Sequence, residues 1–266
     1  MKQLALVVLA GCIALSGFSQ AQPKGNLSKK DKKEAKRDRI NALVKMEEEG
    51  ELVFHKHSIF GFKANTDGYG LSYEMGRFKS NRVTNIYQLE LNEKKHRQER
   101  KLSNFNGYEF NAVILHKLNN FYQFKLGAGQ QRIIGGKANK NGVAVAVIYA
   151  GGVSLGLLKP YYVEVEDQNA GGKRFRSSYP TILDSNYLPI GAAGFFTGWK
   201  DLKFKPGAHA KAALRFDYGR YNETVTGIEA GINVEFYSGK IPQMNIAEQK
   251  QFFFNGYITI LLGKRK

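Results

Sequence analysis

The chain has 266 residues, with 29 Gly, 14 Tyr and 18 Phe but only 6 Pro and 1 Trp, and 42% of it is hydrophobic. No internal apolar run approaches the roughly 18 residues that a membrane helix requires, which excludes a helical-bundle membrane protein. The formal charge of +17 would suit a nucleic-acid partner, but the N-terminus reads as an export signal, which removes nucleic acid and leaves anionic envelope surfaces.

That N-terminus has Lys2, an apolar stretch from Leu4 to Ala10 continuing through Cys12 to Leu15, and the small-residue site Ser19-Gln20-Ala21. It predicts a signal peptide over residues 1–21, cleaved after Ala21. Leu9-Ala10-Gly11-Cys12 also matches a lipobox, which would make Cys12 a lipidated N-terminus; against it, the apolar run continues past the cysteine. Cys12 is the only cysteine, so ordinary cleavage leaves no disulfide, thiolate metal site or cysteine nucleophile.

Residues 22–50 form a separate charged segment. Ser28 can N-cap a helix whose stretch Lys29 to Arg39 holds seven basic and three acidic residues before Ile40, Leu43 and Val44. The spacing predicts a short N-terminal periplasmic helix with one narrow apolar stripe. Residues 28–44 could reach peptidoglycan or another envelope protein, although such a run also suits a solvated face.

From residue 51 the period changes to two. Tyr69, Leu71, Tyr73 and Met75 alternate with Gly70, Ser72, Glu74 and Gly76; Tyr87, Leu89 and Leu91 alternate with Gln88, Glu90 and Asn92. The same dyad runs from Tyr122 to Gly129, from Ala208 to Asp217 and from Thr226 to Phe236. Each such strand has one apolar and one polar or small face. Several reach the roughly nine to eleven residues needed to cross hydrocarbon, with aromatics at the ends of the apolar rows. The fold expected over 51–266 is therefore all-β, an antiparallel transmembrane β-barrel of about 8–10 strands. The less regular segments 52–65, 108–117, 143–154, 157–165 and 251–262 favour ten, which requires a turn near Gly156–Pro160. Short turns are expected at Lys79–Asn81, Leu118–Asn120, Gly219–Asn222 and Asn65–Gly68, and longer loops over 93–107, 130–142, 166–206 and 238–250. With both termini periplasmic, the long loops face outward, as does the tight turn Asn65–Gly68.

Four blocks, Asn92–Arg100, Ser154–Tyr162, Lys205–Lys211 and the tail from Lys240 to Lys266, resemble an outer-membrane β-barrel family of Bacteroidota. The resemblance spans most of the mature chain and implies a barrel at the outer membrane with no assigned chemistry. One departure is the end Leu262-Gly263-Lys264-Arg265-Lys266, where many such barrels carry a terminal aromatic read by the assembly machinery.

On the polar rows, Glu74, Glu90, Lys125, Lys211, Arg215, Glu229 and Glu235 should face the lumen. Mixed signs in a narrow interior favour mutual pairing into a plug over a selective pore. Lys211 and Arg215 lie on the strand next to Glu229 and Glu235, which predicts cross-strand pairs. His55 and His57 have a spacing that can hold zinc, but no third ligand is evident, so no metal and no cofactor is expected. Ser154 with His116 or His209 would be the material of a lipid hydrolase, yet no spacing unites them. The longest loop carries a candidate contact surface of Arg174, Phe175, Arg176 and Trp199, and Phe195–Leu202 reads as a short helix over the barrel mouth.

The function expected is that of a non-enzymatic outer-membrane barrel with a structural, adhesive or small-solute role, in contact with outer-membrane lipid and lipopolysaccharide. The alternatives are a soluble periplasmic barrel binding an apolar ligand, with its apolar rows turned inward, and a membrane-embedded lipid hydrolase.

Overall fold

Strand pairing dominates a computed structural model of the chain. The structure describes residues 54–102, 112–136, 142–167, 171–178, 187–219 and 224–266, together with 30, 31, 33–35, 37, 38, 41 and 42. The chain divides into two units, Met1–Lys45 and Met46–Lys266. In the first, the described residues between 30 and 42 have helical, solvent-exposed backbone. The expected signal peptide, Cys12, Ser28 and the rest of the 22–50 segment lie outside the described residues.

In the second unit the strands are β1 (Lys56–Asn65), β2 (Gly68–Phe78), β3 (Val83–Lys94), β4 (Lys101–Leu102), β5 (Val113–Ile114), β6 (Asn119–Gly135) and β7 (Ala144–Pro160). They continue as β8 (Tyr162–Asp167), β9 (Lys173–Ser178), β10 (Tyr187–Ala192), β11 (Lys203–Asp217), β12 (Thr224–Ile241) and β13 (Lys250–Arg265). Eight of them close a barrel in the order β1-β13-β12-β11-β7-β6-β3-β2, with every neighbour antiparallel. The closing seam pairs β1 with β13, from His57 opposite Arg265 to Asn65 opposite Tyr257. Closure leaves no open edge, so each barrel strand has a hydrogen-bonded neighbour on both sides.

Eight strands, not the favoured ten, make the barrel. The expected turn at Gly156–Pro160 does not exist: Gly156 stays in the ladder, opposite Gln123 on β6 and Lys205 on β11. Segments 143–154 and 157–160 are one 17-residue strand, β7, and Tyr162–Asp167 belongs to a separate three-stranded sheet, β10-β8-β9. Within 108–117 the described strand is the two-residue β5, paired only with β4. Leu118–Asn120 is likewise no turn but the entry to β6, and 130–142 is not a long loop, because β6 runs to Gly135 and β7 starts at Ala144.

The barrel therefore has two unlike ends. One holds the start of β1, the end of β13 and the connections 79–82, 136–143 and 218–223. The other holds the tight turn at 66–67 and the longer connections 95–118, 161–202 and 242–249. At this loop end the β4–β5 pair and the β10-β8-β9 sheet share an apolar cluster of Val113, Ile114, Tyr161, Val163 and Val165, and the amide of Ile114 donates to the Tyr161 hydroxyl at 3.1 Å.

Alternation sets the two faces of the wall. Leu71, Tyr73 and Met75 on β2, Ile228, Ile232 and Phe236 on β12, and Ile258, Ile260 and Leu262 on β13 all point outward and are exposed, as is Val153 on β7 at 63%. The intervening residues point in. Near the loop end the lumen is filled by Phe121, Leu158, Tyr237 and Ile241 with Phe253 against them, and towards the other end by Ile59, Val225 and Leu261. A soluble lipocalin-like barrel requires the reverse, with apolar rows inside and charges outside. On an apolar outer band, a cation near mid-height costs roughly 2–4 kcal/mol in a bilayer. Ile232→Lys, on the outward row of β12, is expected to lower the unfolding free energy in lipid vesicles by that amount, measured by urea titration. An unchanged midpoint would show that this face does not meet hydrocarbon.

Candidate functional site

The inward rows converge on a charged lumen, and the order of strands dictates who meets whom. β2 and β11 stand opposite each other in the ring, as do β3 and β12. Arg215 on β11 therefore reaches straight across to Glu74 on β2, forming a two-pronged contact with both guanidinium Nη atoms 2.7 Å from the carboxylate oxygens. Its Nη2 also lies 2.7 Å from Glu229, its register partner on β12, and Nη1 donates to Gln131 at 2.9 Å. Planar geometry lets arginine serve two carboxylates at once. His57 Nε2 lies 2.9 Å from the same Glu74 oxygen that accepts from Arg215 Nη1. Gly76 makes room for that imidazole: a Cβ there would sit 2.2 Å from His57 Cε1.

A second cluster joins Lys63 and Lys211 to Glu90 at 2.9 and 3.0 Å. Lys211 also approaches Glu229 at 3.4 Å, and Tyr257 donates to Glu229 at 2.7 Å. The Lys63 ammonium sits 3.9 Å over the Tyr257 ring, a placement that strengthens as water is excluded. A third cluster surrounds Glu235, which is 0% exposed. It takes a salt bridge from Lys125, another from Lys94 at 3.2 Å and a hydrogen bond from Gln123 at 2.6 Å. Lys94 also bridges to Asp67 at 2.7 Å, which ties this cluster to the β1–β2 turn.

All seven charged residues expected in the lumen are buried there. The pairing differs from the expectation at one point. Glu235 is opposite His209 in register and its cations come from β6 and β3, not from Lys211 or Arg215. Lys63, Asp67 and Lys94 escaped the sequence reading, and His57, weighed there only with His55 as a zinc spacing, belongs to this lumen network. Lys94 continues the row Gln88, Glu90 and Asn92 by one step, which was a usable signal. Lys63 shares its row with His57, Ile59 and Gly61, and an inward Ile59 beside an outward Phe60 hides the dyad.

Ser154 Oγ and His209 Nδ1 lie 3.0 Å apart, brought together by the β7–β11 register. Both are buried, and among the described residues the imidazole has no carboxylate hydrogen-bond partner. A nucleophile pair needs substrate access and an orienting group, and this pair sits instead among lumen side chains. His116 lies in the 95–118 connection, with left-handed backbone (φ 61°). His55 is exposed at the start of β1 while His57 faces Glu74. Among the described residues no group of three His, Cys, Asp or Glu is placed to hold a metal ion.

The candidate contact surface separates into two places. Arg174 and Arg176 on β9 pair with Glu166 and Glu164 on β8, each at 3.3 Å, and Phe175 between them packs on the apolar cluster of the loop sheets. Such exposed pairs contribute little, about 0–1 kcal/mol. Trp199 is elsewhere: it opens a three-residue 3-10 helix, Trp199–Asp201, and stacks on Tyr122 with ring centroids 5.8 Å apart. Tyr122 faces outward on β6, so this helix lies against the outer wall and not over the mouth.

No family model and no curated protein matches the chain. Among solved structures it is similar to Ail, the attachment invasion locus protein of Yersinia pestis, crystallised with the heparin analogue sucrose octasulfate, at 11% identity and a TM-score of 0.38 over 79% of this chain and 98% of that one. The N-terminal β-barrel domain of Pseudomonas aeruginosa OprF gives 11% and 0.36 over 79% and 98%. Neisserial surface protein A gives 9% and 0.39 over 80% and 97%. The barrel assignment rests on the strand pairing and not on these similarities.

Removing one partner from a buried ion pair leaves the other charge unpaired and costs about 3–5 kcal/mol. Glu74→Gln is expected to destabilise the folded barrel by that amount, read from the urea midpoint of the folded gel band. The double change Glu74→Gln with Arg215→Met should cost less than the sum of the two single changes; strict additivity would mean that the contact contributes no coupling.

Proposed function

We propose that this protein is an exported, non-enzymatic outer-membrane β-barrel whose lumen is sealed, and whose role is structural or adhesive, through its loop end and not through solute passage. The observation that supports this most is the orientation of the wall, with apolar rows outward and paired charges inward. A band of exposed Leu, Ile, Val and Phe around a closed barrel is stable in hydrocarbon and costly in water. The charges inside it neutralise one another and do not form a ring of one sign, which is the arrangement of a plug. Lipid and lipopolysaccharide are then the partners of the wall, and residues 28–44 are the segment that would meet peptidoglycan or another envelope protein. The four sequence blocks that resemble a Bacteroidota barrel family fit the same reading, with the long connections on the outer side.

Fractionation of cells followed by gels of heated and unheated samples tests this. The protein should partition with the outer membrane, and its unheated form should migrate differently from the boiled one. Recovery as a freely soluble periplasmic protein would refute the membrane reading. In planar bilayers the purified barrel is expected to leave the conductance at baseline; a stable ohmic channel would refute the sealed lumen.

A further inference from the structure

At the loop end a cavity of about 330 Å³ lies against the outside of the wall, within the size range of small-ligand pockets. Its floor is set by register. Tyr69 on β2, Glu93 on β3 and Tyr122 on β6 are successive partners across the sheet, and all three point away from the lumen. One step nearer the loops, Asn120 pairs with Lys159 on the same outer face. The opposite side comes from the connections, with Glu99, Lys101 and Lys117 from one and Tyr161, Tyr162 and Phe195 from the other.

The charge of this cavity is unbalanced. Lys95, Lys101, Lys117 and Lys159 line it against Glu93 and Glu99. Glu99 is taken by Lys117 at 2.9 Å, and Glu93 accepts from the Tyr69 hydroxyl at 2.6 Å. Among the described residues no carboxylate lies within salt-bridge distance of Lys95, Lys101 or Lys159. Lys159 is 4% exposed, yet among the described residues its ammonium is held by the Phe195 carbonyl and by the rings of Phe195 and Trp199, at 4.6 and 5.4 Å. Burial raises the pKa of Tyr161, which keeps its phenol neutral. Several cationic donors, neutral phenols and aromatic faces suit a phosphate carried on a sugar.

What lies on the other side of the floor decides the kind of ligand. Below Tyr69, Glu93 and Tyr122 the same outer rows continue as Leu71, Leu91 and Phe124, the start of the apolar band. Phe196, beside the cavity wall at Phe195, is 87% exposed. A headgroup in the cavity would thus place its acyl chains along that band. We propose that this cavity binds the phosphate-bearing sugar headgroup of a glycolipid, with Lys95, Lys101 and Lys159 on the phosphate. This deepens the membrane reading above and rests on it.

The test uses the full chain folded in zwitterionic detergent, with native mass spectrometry after addition of bis-phosphorylated lipid A, its dephosphorylated form, or glucosamine 6-phosphate. The wild type should retain lipid A, and loss of the phosphates should weaken retention about tenfold. The triple change Lys95→Gln, Lys101→Gln, Lys159→Gln should weaken it by a similar factor, about tenfold, while Lys264→Gln at the far end should not. Equal retention of the dephosphorylated lipid, or undiminished binding by the triple variant, overturns the site. Displacement of lipid A by glucosamine 6-phosphate at comparable concentration would make it a site for free sugar phosphate and overturn the lipid part. If the triple variant lacks the folded gel mobility, the exposed single change Lys101→Glu is the measurement, and unchanged affinity overturns the site. A chain with folded barrel mobility but no lipid A binding refutes this site alone, whereas a water-soluble chain refutes the membrane reading as well.

Discussion

Everything in this barrel follows from closing eight strands into a ring too narrow to hold a water-filled channel. Each strand must send every second side chain into that space, and charges sent there have only one another for solvent. The lumen answers with near-equal numbers: Lys63, Lys94, Lys125, Lys211 and Arg215 stand against Glu74, Glu90, Glu229, Glu235 and Asp67. Burial of a single unpaired member would cost several kcal/mol, so the set is interdependent. Arg215 is its centre, because it joins Glu229 on the neighbouring strand to Glu74 on the opposite one, and Lys211 likewise links Glu229 to Glu90 across the ring.

The same alternation that fills the lumen clears the outer face of charge over its middle. The positive charge of the barrel unit, which is part of the +17 of the whole chain, therefore lies neither in the balanced interior nor on the apolar band. It collects at the ends of the wall and in the connections, where Lys95, Lys101 and Lys159 converge. The polarity of the ends and the neutrality of the interior are two results of one sequence period.

The outward rows were legible in the sequence wherever an inward row was polar, as on β2, β3, β11 and β12. Legibility failed where inward positions were apolar or glycine. On β7, Ala146, Ile148 and Ala150 face inward, which blurs the dyad and makes one long strand read as two. Gly156 looks like a turn residue but is small for a packing reason: a Cβ there would lie 2.9 Å from the Phe121 ring. The seven lumen charges could be read from parity alone, whereas their partners across the ring could not. Which strand stands opposite which depends on the strand count, and that count was set too high. The loop sheets β4–β5 and β8–β10 were misassigned because their strands are short: 108–117 and 157–165 read as barrel strands, whereas β5 and β8 pair only within their own connections.

The struts across the lumen also impose an order on assembly. Glu74 and Arg215 are 141 residues apart, and Lys63 meets Tyr257 only when β1 and β13 are side by side. These contacts cannot form within a growing hairpin; they come together once the ring is shut. Interactions that form after the main barrier act on the rate of opening and hardly at all on the rate of closing. The cross-ring struts are thus expected to act as a latch set from inside, prolonging the closed shape more than they speed its formation.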